Sequence, residues 1–199
     1  MGKILVTYDS GYGATAVAAE TIAETLTEKG LRVDLRPVGL EDLSGYDVLF
    51  LGSPIRLGQC TPRIKRFLKK NLTALTCMRV AFFFTCMSVT NDELAQELPL
   101  YIDPSFSGPN KPHARIKLME NNHTVSYYLK HFLKFVPGVT PIGIAFFNGR
   151  LSTEKLIPVH RLIMWFAMFS LPEIENGDFL NPVAIGSWTK SLFCRMKDA

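Results

Sequence analysis

The chain alternates between short apolar runs and segments with helical periodicity. Strands are predicted from five runs of mostly apolar residues, at positions 3–8, 31–38, 46–52, 79–85 and 141–147. Helices are predicted at positions 13–29, from Thr61-Pro62 through about 72, at 123–135 and from 181 to about 194. Strands that alternate with helices of this length predict an α/β domain, with a parallel sheet covered by helices on both faces.

Two intervals break this alternation. Residues 91–122 contain four prolines and little periodicity, which predicts a long insert after the fourth strand. We expect this insert either to be a solvated loop or to close over a site as a lid. In a lid, its basic cluster would meet substrate carboxylates; the cluster comprises Lys111, His113, Arg115 and Lys117. The second interval, residues 156–171, is rich in Met, Trp and Phe; it predicts a helix that completes the core, forms a dimer contact or lies on a membrane surface.

Length and composition predict one globular domain over residues 1–199, because 47% of the 199 residues are hydrophobic and 20% are charged. The longest apolar stretch, residues 162–171, is about half of the ~20 residues that a membrane-spanning helix needs. The chain begins with a strand-like run, and its four cysteines lack metal-ligand spacing. We therefore expect a cytoplasmic protein with reduced thiols and no metal. The net charge of +4 suits an anionic substrate or a membrane surface, and we expect no nucleic-acid partner.

A glycine-containing loop, residues 10–15 ("SGYGAT"), follows the first predicted strand. Its Gly11-x-Gly13-x-x-Ala16 pattern loosely fits a dinucleotide-binding turn, but Asp9 and Ser10 separate the glycines from the strand. The hydroxyls of Ser10 and Thr15 flank the loop at a helix N-terminus, an arrangement that favours a phosphate monoester. No lysine follows the glycines, which excludes a P-loop; a plain strand-to-helix turn is the alternative.

Two further loops are predicted at the same edge of the sheet, because they also follow the carboxyl ends of strands. We call residues 10–15 the first loop, residues 53–58 the second loop and residues 85–90 the third loop. Ligands of open α/β sheets bind at this edge. Three neighbouring loops can hold a phosphate, one face of a ring and the polar edge of that ring. This division favours one compact cofactor, flavin mononucleotide (FMN), over an extended dinucleotide.

The loop sequences "TYDSGYGAT", "GSPIRLG" and "FFFTCMSV" resemble the flavin-contacting loops of the flavodoxin-like family, whose sheet has five parallel strands. More narrowly, "GSPIRLGQCTPRIKRFLKKN" and "HRLIMWFAMF" are similar to segments of the menaquinone-dependent, flavodoxin-type protoporphyrinogen oxidases. The resemblance implies phosphate contacts from Ser10, Gly11, Tyr12, Gly13, Ala14 and Thr15. It implies ring contacts from Pro54, Ile55, Arg56, Leu57, Gly58, Thr85, Met87 and Ser88.

Several residues depart from the pattern of electron-carrier flavodoxins. Ala14 stands where many flavodoxins have Asn, and Leu57 and Met87 stand near the places of the ring-sandwiching aromatics. Arg56 is the candidate catalytic residue, because a positive charge near the pyrimidine edge of the ring would stabilise the anionic reduced flavin. Alternatively, Arg56 pairs with a surface carboxylate. Cys86 is either a thiol near the flavin edge or a small buried hydrophobe.

The expected function is that of an FMN-dependent oxidoreductase, which passes electrons between an organic substrate and a quinone. The narrower resemblance implies protoporphyrinogen IX as that substrate. Two alternatives are a flavodoxin-type electron carrier that exchanges electrons with a redox protein, and a cofactor-free binding module. Peripheral contact with the inner face of the membrane and a homo-oligomer are further expectations.

Overall fold

A parallel sheet of six strands forms the centre of the computed structural model, which describes residues 2–39, 42–56, 58–87, 89, 98–107, 124–151 and 177–198. Its strands are β1 (Ile4–Tyr8), β2 (Val33–Pro37), β3 (Val48–Pro54), β4 (Arg79–Cys86), β5 (Leu100–Ile102) and β6 (Gly143–Asn148). Their order across the sheet is β2-β1-β3-β4-β6-β5, and each neighbouring pair is parallel. The predicted flavodoxin-like α/β class is therefore confirmed.

Helices cover both faces of the sheet. They are α1 (Ala14–Thr27), α2 (Pro62–Thr76), α3 (Val125–Phe132) and α4 (Pro182–Asp198); a short 3-10 turn, Leu133–Phe135, continues α3. Side chains alternate between the faces along each strand. In β1, for example, Leu5 packs in the core shared with α2 and α3, whereas Ile4 and Val6 pack in the core shared with α1 and α4.

The start of α2 shows how the sequence sets an element boundary next to the second loop. Thr61 Oγ1 accepts a hydrogen bond from the Ile64 amide at 3.4 Å, and Pro62 occupies the first helical position, where a missing amide hydrogen costs nothing. Ile64, Phe67 and Leu68 then face the core. The helix start predicted from Thr61-Pro62 is confirmed, and it places the basic end of α2 at the carboxyl edge of the sheet.

The sheet has one strand more than the five predicted. Leu100–Ile102 lies within the segment predicted to be a loop insert, yet it pairs with β6 at the edge of the sheet. Three residues are too few for a periodic pattern, and Pro99 and Pro104, which bracket the strand, read as loop residues in sequence. Prolines next to an edge strand are compatible with its pairing.

Other predicted features lie outside the described residues. These are the remainder of the insert with its basic cluster, the helix at 156–171, and two of the residues implied as ring contacts, Leu57 and Ser88. The lid, the dimer contact and the membrane contact therefore stay predictions. Among the residues that the structure describes, no helix has the length and apolar character needed to cross a membrane.

Candidate functional site

The structure brings the three loops together at the carboxyl edge of the sheet. The amide of Asp9, beside the first loop, donates to the Gly52 carbonyl at 3.1 Å, which joins the ends of β1 and β3. The amide of Ile55 in the second loop donates to the Thr85 carbonyl at 2.9 Å. The loops follow β1, β3 and β4, and the order of the strands reverses between β1 and β3. This reversal of strand order is where α/β sheets bind their ligands.

The first loop presents backbone amides at the N-terminus of α1. Gly13 has φ 94° and ψ −23°, a left-handed conformation that favours glycine, and its amide donates to Ser10 Oγ at 3.1 Å. The amides of the first turn of a helix have no partner within the helix, and they give this end a partial positive charge. Ser10 Oγ accepts from Gly13 and keeps its own hydrogen for donation.

Thr15 and Thr85 connect the first loop to the third. Their Oγ1 atoms lie 2.8 Å apart, and the residues are only 1% and 4% exposed. One hydroxyl donates to the other, so that one hydrogen of the pair remains for a further acceptor. Thr15 was expected to contact a phosphate; its hydroxyl bonds to Thr85, and its backbone amide lies in the first turn of α1, so the phosphate contact stays a prediction.

The second loop forms a tight turn that packs against Tyr127 of α3. Arg56 and Gln59 exchange backbone hydrogen bonds of 2.9 and 3.0 Å across the turn. Gly58 has φ 74°, and a Cβ at this position would lie 2.6 Å from Cε1 of Tyr127. The turn thus needs glycine for its conformation and for the approach of the ring. Tyr127 was not among the predicted site residues, because in sequence it is one of several aromatic residues in a predicted helix and no motif marks it.

Arg56 reaches from the second loop to the first. Its guanidinium carbon lies 4.7 Å from the centroid of the Tyr12 ring, a cation–π distance. A Cβ on Gly11 would lie 2.0 Å from Arg56 Nη2, so the guanidinium sits directly on the glycine backbone. In the described part of the chain Arg56 has no salt-bridge partner, whereas Asp9 pairs with Arg63 at 3.7 Å. The pairing of Arg56 with a carboxylate, one of its two expected placements, is thus not seen among the described residues.

The two cysteines near the loops, Cys60 and Cys86, are buried. Cys86, at the end of β4, is 6% exposed and belongs to the core cluster, as expected for a small buried hydrophobe. Burial raises the pKa of the Cys60 thiol to about 11, so this thiol stays protonated at neutral pH. Met87, by contrast, is 45% exposed at the start of the third loop.

The donor set of the first loop fits a phosphate monoester. Three features offer positive potential or hydrogen-bond donors at one place: the N-terminus of α1, the Ser10 hydroxyl and the Arg56 guanidinium. The nearby carboxylate, Asp9, is engaged by Arg63. These residues fit the phosphate of FMN.

Two cavities between the described residues are small. One of about 150 Å³ lies between the end of β2 and α2, and one of about 120 Å³ lies between Ile55, α2 and α3. Ligand pockets usually measure roughly 300 Å³ or more. Neither cavity therefore defines a substrate site by itself.

The doubly wound sheet and the phosphate-type loop define a class of protein, the α/β domains that bind a phosphorylated cofactor at the carboxyl edge. A model of the flavodoxin domain matches residues 5–172. This match spans most of the chain, and the chain belongs to the flavodoxin domain family. Membership of the family indicates FMN as the cofactor.

The curated relatives match a shorter part of the chain. The NAD(P)H dehydrogenase (quinone) of Caulobacter vibrioides (strain NA1000 / CB15N) is 32% identical over 90 residues, covering 34% of this chain and 45% of the relative. The protein of the same name from Cupriavidus metallidurans is 31% identical over 91 residues, covering 34% and 46%. The chain thus spans less than half the length of these relatives.

Solved structures with a similar fold include flavodoxins and other flavoproteins. Two-electron reduced Megasphaera elsdenii flavodoxin has a TM-score of 0.48 and 16% identity, with 72% of this chain and 84% of that chain covered. A Lactobacillus acidophilus flavoprotein in complex with FMN has a TM-score of 0.46 and 19% identity, with 73% and 93% covered.

Proposed function

We propose that this chain is an FMN-dependent oxidoreductase that passes electrons from an organic donor to a quinone. The proposal rests on the first loop, whose amides at the N-terminus of α1 and Ser10 hydroxyl fit a phosphate, in a chain of the flavodoxin domain family. When bound, FMN supplies hydride and one-electron chemistry. Quinone as acceptor is supported by the name of the matching relatives, NAD(P)H dehydrogenase (quinone).

In this proposal the three loops have separate tasks. The first loop, Ser10 to Thr15, holds the phosphate through its amides and the Ser10 hydroxyl. Residues of the second and third loops hold the ring: Pro54, Ile55, Leu57, Gly58, Thr85, Met87 and Ser88. Tyr127 fixes the turn at Gly58, which keeps the second loop in place beside the ring. Exposed Met87 offers an apolar side chain where electron carriers use an aromatic one, which supports an enzyme over a carrier.

The identity of the electron donor is a more specific part of the proposal. The relatives' name favours a reduced nicotinamide, whereas the narrower resemblance to flavodoxin-type protoporphyrinogen oxidases favours protoporphyrinogen IX. A reduced nicotinamide delivers two electrons as one hydride, and protoporphyrinogen IX loses six electrons in three two-electron steps, so a two-electron carrier such as FMN suits either donor.

The test begins with the absorbance spectrum of the purified chain after incubation with FMN and removal of excess flavin. A bound-flavin spectrum that yields FMN on denaturation is expected. Anaerobic NADH, NADPH and protoporphyrinogen IX are then added separately, and the donor that bleaches the flavin is identified. Menadione should restore the oxidised spectrum. A flavin that none of the three donors bleaches would contradict the oxidoreductase and favour the electron carrier.

A pair of serine variants tests whether the first loop binds the phosphate of FMN. Ser10→Ala removes a donor to a charged group, a hydrogen bond of about 1.5–3 kcal/mol, which corresponds to a roughly 10-fold or larger loss of FMN affinity. Ser44→Ala is the matched control, because the Ser44 hydroxyl donates to Asp42 in an exposed turn of the segment between β2 and β3. Equal FMN affinity of the two variants would contradict the phosphate assignment.

A further inference from the structure

On the basis of the function proposed above, we propose that Arg56 binds the phosphate of FMN and makes the site select FMN over riboflavin. The second loop was expected to place Arg56 at the ring. The guanidinium lies at the first loop instead, over the Tyr12 ring at 4.7 Å and against the backbone of Gly11.

The base of the Arg56 side chain is fixed. Its backbone amide and carbonyl both bond to Gln59, at 2.9 and 3.0 Å, and the adjacent Gly58 is pressed against Tyr127. The guanidinium end rests on Tyr12, whose ring face attracts a cation. Both ends of this long side chain are thereby oriented before a ligand arrives, which lowers the entropy lost on binding.

Gly11 allows the close approach. A Cβ there would lie 2.0 Å from Nη2, so any other residue would displace the guanidinium from the loop. The backbone of Gly11 is not in the left-handed region, and its conformation does not require glycine. The absence of a side chain is what this position contributes.

The electrostatics of the arrangement call for an anion. The guanidinium carries a full positive charge, and the N-terminus of α1 beside it carries a partial positive charge. Two positive potentials at one place favour an anion that binds between them. The carboxylate next to the loop, Asp9, is directed to Arg63 at 3.7 Å, and in the described residues no carboxylate pairs with Arg56. A phosphate dianion supplies the missing charge, whereas the oxidised flavin ring is uncharged.

Comparing the binding of riboflavin and FMN distinguishes two possible roles of Arg56, because riboflavin has the ring of FMN without the phosphate. If Arg56 binds the phosphate, its removal weakens FMN alone. If it acts at the ring, its removal weakens both flavins alike and changes the reduction potential.

The experiment measures the dissociation constants of FMN and riboflavin by quenching of flavin fluorescence, for the wild type, Arg56→Gln and the control Arg32→Gln. Arg32 is exposed and precedes β2, so it lies at the opposite edge of the sheet and its replacement changes the charge equally. We expect Arg56→Gln to weaken FMN at least 10-fold and riboflavin less than twofold, and Arg32→Gln to change neither. The FMN affinity of the wild type should also fall more steeply with salt than that of Arg56→Gln.

Gly11→Ala provides a second variant in case Arg56→Gln is unstable. It keeps the charge but moves the guanidinium, and we expect the same selective loss of FMN. Equal losses for both flavins, or no loss for either, would overturn the assignment of Arg56 while leaving the proposed function intact. A wild-type chain that binds neither flavin would instead overturn the proposed function.

Discussion

Gly13→Ala is the substitution whose cost can be worked most directly from the structure. Gly13 has φ 94°, and a Cβ placed on it meets no atom within 4 Å. The cost therefore comes from the backbone alone, with no contribution from a clash. A left-handed conformation costs an L-residue about 1–2 kcal/mol. Stiffening of the unfolded chain by alanine offsets roughly 0.4–1 kcal/mol of this cost.

The expected net loss in the free energy of unfolding is about 1 kcal/mol, which lowers the midpoint of thermal unfolding by about 2–4 °C for a chain of this size. Urea unfolding followed by circular dichroism measures the loss. The FMN affinity should fall as well, because Gly13 directs the first amides of α1 and bonds to Ser10.

Gly30→Ala is the matched control. Gly30 follows α1 with φ 78°, and a Cβ there also meets nothing within 4 Å, but the residue lies at the opposite end of the helix from the loops. It should lose a similar amount of stability and bind FMN as the wild type does. A Gly13→Ala variant as stable as the wild type would refute the strain argument. Equal FMN affinities of the two variants would refute the role of the first loop.

Three other predictions concern the core, the surface charges and the thiols. Phe132→Ala should cost about 3–5 kcal/mol in urea unfolding, since this buried ring packs edge-on against two phenylalanines of β4; a loss below about 1 kcal/mol would contradict it. The hydrogen bond from Lys3 holds the pKa of Asp34 below its usual value, so this contribution to stability is present above about pH 4 and is lost as the pH falls through the lowered pKa. Asp34→Asn should therefore destabilise the chain more at pH 7 than at pH 2, and a difference independent of pH would exclude this linkage. A thiol reagent at pH 8 should label exposed Cys194 at once and buried Cys60 only on unfolding; mass spectrometry that finds both labelled together would disprove the burial argument.

The fold could be predicted from sequence wherever a local residue pattern is typical of one kind of secondary-structure element. Long apolar runs such as 79–85 become buried central strands, because only a strand covered on both faces is apolar throughout. Leu100–Ile102 escaped prediction because its pairing with β6 decides its structure, and three residues between prolines carry no local signal.

The site was predictable to the level of loops but not of side chains. The carboxyl ends of parallel strands must share one edge, so the placement of the three loops at that edge followed from the predicted parallel sheet. The direction of Arg56 toward Tyr12 depends on the turn at Gly58 and on Tyr127, a residue almost 70 positions further along the chain. Contacts of this range leave no periodicity or spacing in the sequence.

The contacts among the loops also bear on how strongly the site binds its ligand. Thr15 bonds to Thr85, Ile55 bonds to the Thr85 carbonyl, and Arg56 rests on Tyr12, so each loop is joined to another by atoms of the chain itself. Loops that are ordered before binding lose less conformational entropy when the ligand arrives. The buried Thr15–Thr85 pair is the contact most isolated from solvent, at 1% and 4% exposure. One hydrogen bond between two threonine hydroxyls thus joins the loop proposed to hold the phosphate to a loop proposed to hold the ring, and we expect its loss to weaken FMN binding by loosening both loops.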